Sequence, residues 1–150
     1  MAAKDAREIV IVPDVTADLL LSSAQSEAGI LRLDSAFAEW DFLRDEGGKS
    51  FEVLTWTPTP DVSTEAAREY FARLGFGGNT AAFLEWLKSY RLYGWAITIP
   101  EDARLYRDRV NDLYVARLYR DEAYCRLCLA RTRGTWSLDH TFVGFREVTP

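Results

Sequence analysis

Cys125 and Cys128 bracket Arg126 and Leu127 in a C-x-x-C spacing. Two thiolates so placed can exchange disulfides or supply half of a zinc site. Neither chemistry is complete here. A four-ligand zinc site needs a second pair, and these are the only two cysteines of the chain. A thioredoxin-type pair needs its first thiol at a helix N-terminus. This pair falls in a strand-like run, where positions i and i+3 point to opposite faces. Two reduced structural cysteines are expected. His140 is the single histidine and follows Asp139. Adjacent strand side chains diverge, so Asp139 cannot orient His140 as the acid of a triad orients its base. No G-x-S-x-G elbow accompanies it. A satisfied imidazole buried among Trp136, Leu138 and Phe142 is expected instead.

Gly75-Phe76-Gly77-Gly78 is glycine-rich but lacks the Lys-Ser/Thr ending and the G-x-G-x-x-G spacing of phosphate loops. It joins two helix-like segments, so it reads as a helix stop and a tight turn. The acidic pairs Asp45-Glu46, Glu101-Asp102 and Asp121-Glu122 read as solvated element ends. None has the His or carboxylate companions that a metal needs. No residue receives a catalytic assignment, and no metal or cofactor is implied.

The pattern with most chemical content lies between Leu113 and Arg131. Leu113–Arg120 and Tyr124–Arg131 alternate apolar and polar residues around the short connector Arg120-Asp121-Glu122-Ala123, the signature of an antiparallel hairpin. Pairing Tyr119 with Tyr124 puts Tyr114, Ala116, Leu118, Cys125, Leu127 and Leu129 on one apolar face. Val115, Arg117, Tyr119, Tyr124, Arg126 and Cys128 take the other. This register sets Arg117 opposite Arg126, flanked by Tyr119 and Tyr124. Like charges so placed repel by a few tenths of a kcal/mol. Asp139, Glu122 or a bound anion would offset that. Arg117, Tyr119, Tyr124 and Arg126 are therefore the candidate site, a patch for an anion or an acidic partner, with a solvated face holding an Arg–Asp pair as the plainer reading.

The elements that must position this patch follow from pattern. Glu8–Val12 is β-branched and reads as a strand. Asp14 or Thr16 caps a helix carrying Leu20, Ala24, Ala28 and Leu31. Asp34 or Ser35 caps a second, with Phe37 and Trp40 inward, ended by Gly47-Gly48. Phe51–Thr57 reads as a strand stopped by Pro58 and Pro60. Asp61 or Ser63 opens a helix with Ala66, Ala67, Tyr70, Phe71 and Leu74 inward, closed by Gly75. Asn79 or Thr80 opens another, whose Phe83, Trp86, Leu87 and Tyr90 form the cleanest amphipathic stripe. Tyr93 and Trp95 continue that aromatic run toward an interface role. Gly94–Ile99 reads as a strand. A short helix with Ala103, Tyr106 and Val110 follows it. Thr135–Glu147 reads as the last strand, with Leu138 opposite Leu129, so that Trp136, Leu138, His140 and Phe142 join the apolar face and Asp139 and Thr141 the polar one. The fold expected is α+β: an antiparallel sheet, a C-terminal meander, with several helices packed on one face.

The 150 residues suit one globular domain, which buries roughly 70% of the surface its unfolded chain exposes. Apolar residues form 48% and charged residues 27% of the chain, which argues against extensive disorder. The formal net charge of −5 disfavours nucleic-acid binding through a basic surface. Charge is uneven: residues 1–100 carry −6 and residues 101–150 carry +1, and Arg outnumbers Lys 15 to 3. The longest N-terminal apolar run, Ile9-Val10-Ile11-Val12, is too short for a secretory core. No stretch approaches the roughly 18 apolar residues of a membrane span. With two cysteines, a reducing cytoplasmic setting is expected.

Thr16-Ala-Asp-Leu-Leu-Leu through Gly29-Ile-Leu-Arg-Leu-Asp34 resembles the helix that precedes the catalytic core of Fic-type proteins. The His-Pro-Phe segment and glycine-rich loop that define their catalysis are absent from this sequence, so no activity carries over. The function expected is a small non-enzymatic interaction or regulatory protein of inhibitor, immunity or adaptor type, encoded by a bacterium, phage or mobile element. Its partner is expected to be a protein, including one with a basic surface that an acidic body covers. The alternatives are a small-molecule or anion-binding domain or enzyme with a site between sheet and helices, and a structural component of a phage-type assembly.

Overall fold

In a computed structural model, the described residues are 8–35, 37, 46–58, 61–99, 106–107, 113–131, 135–136 and 140–149. In chain order they form β1 (Ile9–Ile11), α1 (Ala17–Ala28), β2 (Arg32–Leu33), β3 (Ser50–Trp56), β4 (Val62–Ser63), α2 (Thr64–Arg73), α3 (Thr80–Leu87), β5 (Gly94–Thr98), β6 (Tyr106–Arg107), β7 (Leu113–Arg120), β8 (Cys125–Arg131), β9 (Thr135–Trp136) and β10 (His140–Val148).

The helices begin where side chains satisfy orphan amides. Thr16 Oγ1 accepts from Leu19 N–H at 3.2 Å, Ser63 Oγ from Ala66 N–H at 3.1 Å, and Asn79 Oδ1 from Ala82 N–H at 3.0 Å. Each is an N-cap worth about 1 kcal/mol. Gly29 ends α1 in the left-handed region, with φ 72°, where glycine has no Cβ penalty. The acceptors at that end are also held from outside. Arg120, only 7% exposed, donates from Nη2 to Ala28 O at 2.6 Å and from Nη1 to Tyr90 O. A cation against the negative end of a helix is favourable.

The strands of the main sheet run β1-β3-β10-β5-β7-β8-β2, with β6 paired to β7; β4 and β9 pair apart from it. The sheet is mixed: β10 runs parallel to β5 and β2 parallel to β8, while the other pairings are antiparallel. The expected antiparallel sheet is thus overturned, and with it the C-terminal meander. The β7–β8 hairpin forms as expected. The next segment does not return beside β8. Thr135–Trp136 pairs with β4, and β10 inserts between β3 and β5. Composition supplies the reason. Phe142, Val143, Gly144 and Phe145 are buried in succession, so β10 has two apolar faces and needs a central position covered on both sides.

Helices accordingly pack on both faces rather than one. Leu20, Ala24, Phe83 and Leu87 of α1 and α3 share a core with Phe51, Val53, Ala96, Leu118, Leu127 and Val143. On the opposite face, Ala67 and Phe71 of α2 pack with Ile97, Ile99, Val115 and Phe142. Gly144 permits this second contact, because a Cβ there would lie 2.4 Å from Phe71 Cδ1. The expected stripe on α3 is present, but the helix is buried on almost every side, Glu85 excepted. Tyr106, expected in a helix, is in β6; most of that expected helix, and Trp40 and its neighbours, lie outside the described residues.

Candidate functional site

Strand alternation carries Arg117 and Tyr119 of β7, and Arg126 and Cys128 of β8, to the face opposite α1 and α3, with Tyr124 just before β8. The two faces of the hairpin match the alternation of the sequence. The register differs by two residues: Tyr119 opposes Arg126, and Arg117 opposes Cys128. The connector is therefore longer than a pairing of Tyr119 with Tyr124 allows. Asp121 organises it, with Oδ1 accepting from Ala123 N–H at 2.9 Å and Oδ2 from Tyr119 Oη at 3.1 Å. Arg117 and Arg126 become diagonal neighbours rather than a directly opposed pair.

Trp95 fills the space beside them. Its cross-strand partners are Tyr119 on β7 and His140 on β10. The Trp95 and Tyr119 ring centres are 4.7 Å apart, and the His140 ring stacks on Trp95 at 5.4 Å and 9°. The Arg117 guanidinium carbon sits 3.9 Å from the Trp95 ring centre and that of Arg126 5.9 Å away. Cation–π contact of this kind holds a guanidinium in a fixed plane. His140 is 5% exposed, buried as expected, but on the arginine face rather than the face that α1 and α3 cover. Phe142 follows it there, while Thr141 turns to the other face and bonds Thr57 Oγ1 at 3.0 Å. The face assignment of the last strand is thus reversed, because β10 joins the sheet between β3 and β5. Asp139 and Leu138 lie outside the described residues, as does the Trp136 side chain.

Sequence reasoning missed Arg32. It is directly opposite Arg126 in the parallel β2–β8 pair and therefore on the same face. No local signal marks it, because β2 has two residues and a partner strand more than ninety positions away. Arg32, Asp34, Tyr124, Arg126 and Cys128 line a cleft of about 270 Å³. Asp34 is the one carboxylate among its described lining residues, and its Oδ2 accepts from Leu129 N–H at 3.5 Å. Arg126 is half-buried, and its Nε is buried without a hydrogen-bond acceptor. Among the described residues no acidic side chain forms an ion pair with Arg126 or Arg32.

Other sequence candidates resolve differently. Cys125 and Cys128 are free thiols. The first is buried on the face that α1 and α3 cover and the second half-buried on the arginine face, as i and i+3 on a strand require. Burial pushes the Cys125 thiol up from its ordinary 9.0, with the nearby Arg120 charge opposing the rise. Among the described residues no His, Cys, Asp and Glu side chains gather as a metal site. The Gly77 amide is used by the sheet: Gly77 and Phe145 exchange N–H to O bonds of 2.9 and 2.8 Å. Glu46 is not a solvated end. It is buried, bonded by Asn79 Nδ2, and lies 3.4 Å from Lys49 Nζ. Trp86 and Tyr90 are buried, whereas Tyr93 is exposed. No helix of the described residues is long and apolar enough to cross a membrane.

No protein-family model, no curated protein and no solved structure matches the chain.

Proposed function

We propose that this chain is a small cytoplasmic interaction protein, non-enzymatic and of inhibitor, immunity or adaptor type, whose arginine-lined sheet face receives carboxylates of a protein partner. The observation that carries the reading is the Arg126–Arg32 pair. Arg32 and Arg126 are paired positions on adjacent strands and line one cleft, and neither has an acidic partner among the described residues. A half-buried guanidinium with an unsatisfied Nε costs free energy until an acceptor arrives. An aspartate or glutamate side chain supplies two oxygens in the geometry that an arginine fork accepts. Trp95, Tyr119 and Tyr124 add aromatic surface of the type enriched in interface centres.

A second reading follows from the cleft itself. Its volume of about 270 Å³ is close to the lower end of small-molecule sites, roughly 300 Å³, so a free small anion is the competing ligand.

The test pairs the wild-type chain with the Arg32→Gln, Arg126→Gln double variant. Both are used for affinity capture from source lysate and for titration with inorganic phosphate. The proposal expects a stoichiometric protein retained by the wild type and lost from the variant, with a melting temperature nearly unchanged. Capture of the same partner by both chains would overturn it. Saturable phosphate binding with no retained protein would transfer the site to the small-anion reading.

A further inference from the structure

The strand at the other end of the sheet from the arginine cleft is β1. Val53 N–H donates to Glu8 O at 2.9 Å, and Val12 N–H donates to Lys49 O at 2.9 Å. Bonded and non-bonded residues alternate along an antiparallel pair. With Val10 opposite Phe51, the β1 groups that face β3 are those of Glu8, Val10 and Val12. The N–H and C=O groups of Ile9 and Ile11 therefore point away from the sheet. β1 ends the strand path, so no described strand takes them. The Ile9 and Ile11 side chains are 50% and 59% exposed. Proteins usually blunt such an edge with charge, proline or a bulge; here two isoleucines occupy it.

A groove of about 460 Å³ runs along the same strand, bounded by Glu8, Glu27, Glu85, Lys88 and Ser89. Glu8 is engaged: its Oε1 accepts from Trp86 Nε1 and its Oε2 from Ser89 Oγ, each at 3.1 Å. Lys88 is shared between Glu85 at 2.8 Å and Glu27 at 3.8 Å. The described wall thus sets three carboxylates against one ammonium.

We propose that this edge binds an extended protein segment that carries lysine or arginine, added as a strand beside β1. The outward groups of Ile9 and Ile11 supply main-chain hydrogen bonds, the usual source of affinity in strand addition. Alternate side chains of the segment fall on opposite faces. Those on the α1–α3 side meet Glu27 and Glu85 and are basic. Those on the other side lie beside Ile9 and Ile11 and are apolar. A second copy docked edge to edge by two-fold symmetry would bring the same carboxylates together, so charge selects against it. The surface is separate from the arginine cleft and does not depend on it.

Amide exchange measured by NMR on the full chain tests the assignment. The probes are a short synthetic peptide alternating valine and lysine and its valine–glutamate counterpart. The lysine peptide is expected to slow exchange at Ile9 and Ile11, and the glutamate peptide is not. Ile11→Pro removes an outward donor and no bond to β3, a change that edge strands tolerate. It should weaken the lysine peptide by about tenfold, the equivalent of one lost hydrogen bond. Glu27→Lys, at an exposed helix position, should also weaken it while leaving the fold intact. Arg126→Gln should bind the lysine peptide as the wild type does, whatever becomes of the arginine cleft. Equal affinity for both peptides, or unchanged affinity in Ile11→Pro and Glu27→Lys, would overturn the proposal. Protection of Ile9 and Ile11 that rises with protein concentration in the absence of peptide would also overturn it, by assigning the edge to a second copy.

Discussion

Arg120, Cys125 and Tyr90 show how a buried charge organises its neighbours. The guanidinium spans from the end of α1 to the segment after α3, and the Cys125 thiol lies 4.0 Å from the same Ala28 oxygen. Cys125 is held above its ordinary 9.0 and Tyr90 above its ordinary 10.0. In both, burial penalises the anion, while Arg120 pulls the other way; a Thr141 hydrogen bond also lowers Tyr90. A pKa raised on folding means that the folded state holds its proton longer. That stability is fully present below the unfolded value and is lost as pH climbs through the folded one. The melting temperature should therefore begin to fall above about pH 9 through the thiol and fall further above about pH 10 through the phenol. Thermal melts of Cys125→Ala and Tyr90→Phe, each against its own neutral-pH value, should show the fall blunted in turn. An identical alkaline slope in all three chains would sink the explanation. The sequence revealed that the two cysteines diverge, because alternation alone requires it. It concealed the buried roles of Arg120 and Glu46, because charged residues beside a turn read as solvated until their distant acceptors are known.

At the level of elements, the contact between α2 and β10 is the most demanding fit. Phe71 occupies the room that Gly144 leaves, and a methyl group there would overlap the ring. Gly144→Ala should cost about 1–3 kcal/mol, the usual range for overpacking. The penalty should shrink in a Phe71→Leu background, since the clash would lose its partner. Urea melts of the four chains of this cycle would measure the coupling. Strictly additive penalties would mean that some other contact dominates. Helix starts at Thr16, Ser63 and Asn79 were legible, because a cap is a local hydrogen bond between neighbours in sequence. The strands β3, β5, β7 and β8 were legible from alternation and flanking turn residues. The place of β10 was not. The short connector after β8 suggested another hairpin, and nothing local records that β9 pairs with β4 instead. The one available signal was the unbroken apolar run Phe142–Phe145, which marks a strand buried on both faces.

For the molecule as a whole, β10 closes the fold. It joins β3 on one side and β5 on the other, along seven and four paired residues. A chain truncated before His140 should lose cooperative thermal unfolding in circular dichroism rather than melt at a slightly lower temperature; a sharp transition in that chain would show that the sheet stands without its centre. The strand order also sets the arginine cleft and the β1 groove at opposite ends of the sheet. One end offers guanidiniums, the other carboxylates and open backbone groups, so the acidic net charge of the chain does not describe the arginine end. By itself the sequence narrowed each of the described helix caps to two candidates, and it determined which residues alternate along the β7–β8 hairpin and that Arg117, Tyr119, Tyr124 and Arg126 share a face. These are consequences of spacings of two and of about 3.6 residues, which act over a few positions. Tertiary structure alone decided that Arg32 pairs with Arg126, that Trp95 and His140 flank the arginines, and that helices cover both faces. Those outcomes depend on which distant strands bury each other's apolar surface, a competition settled over the whole chain and not within any one segment of it.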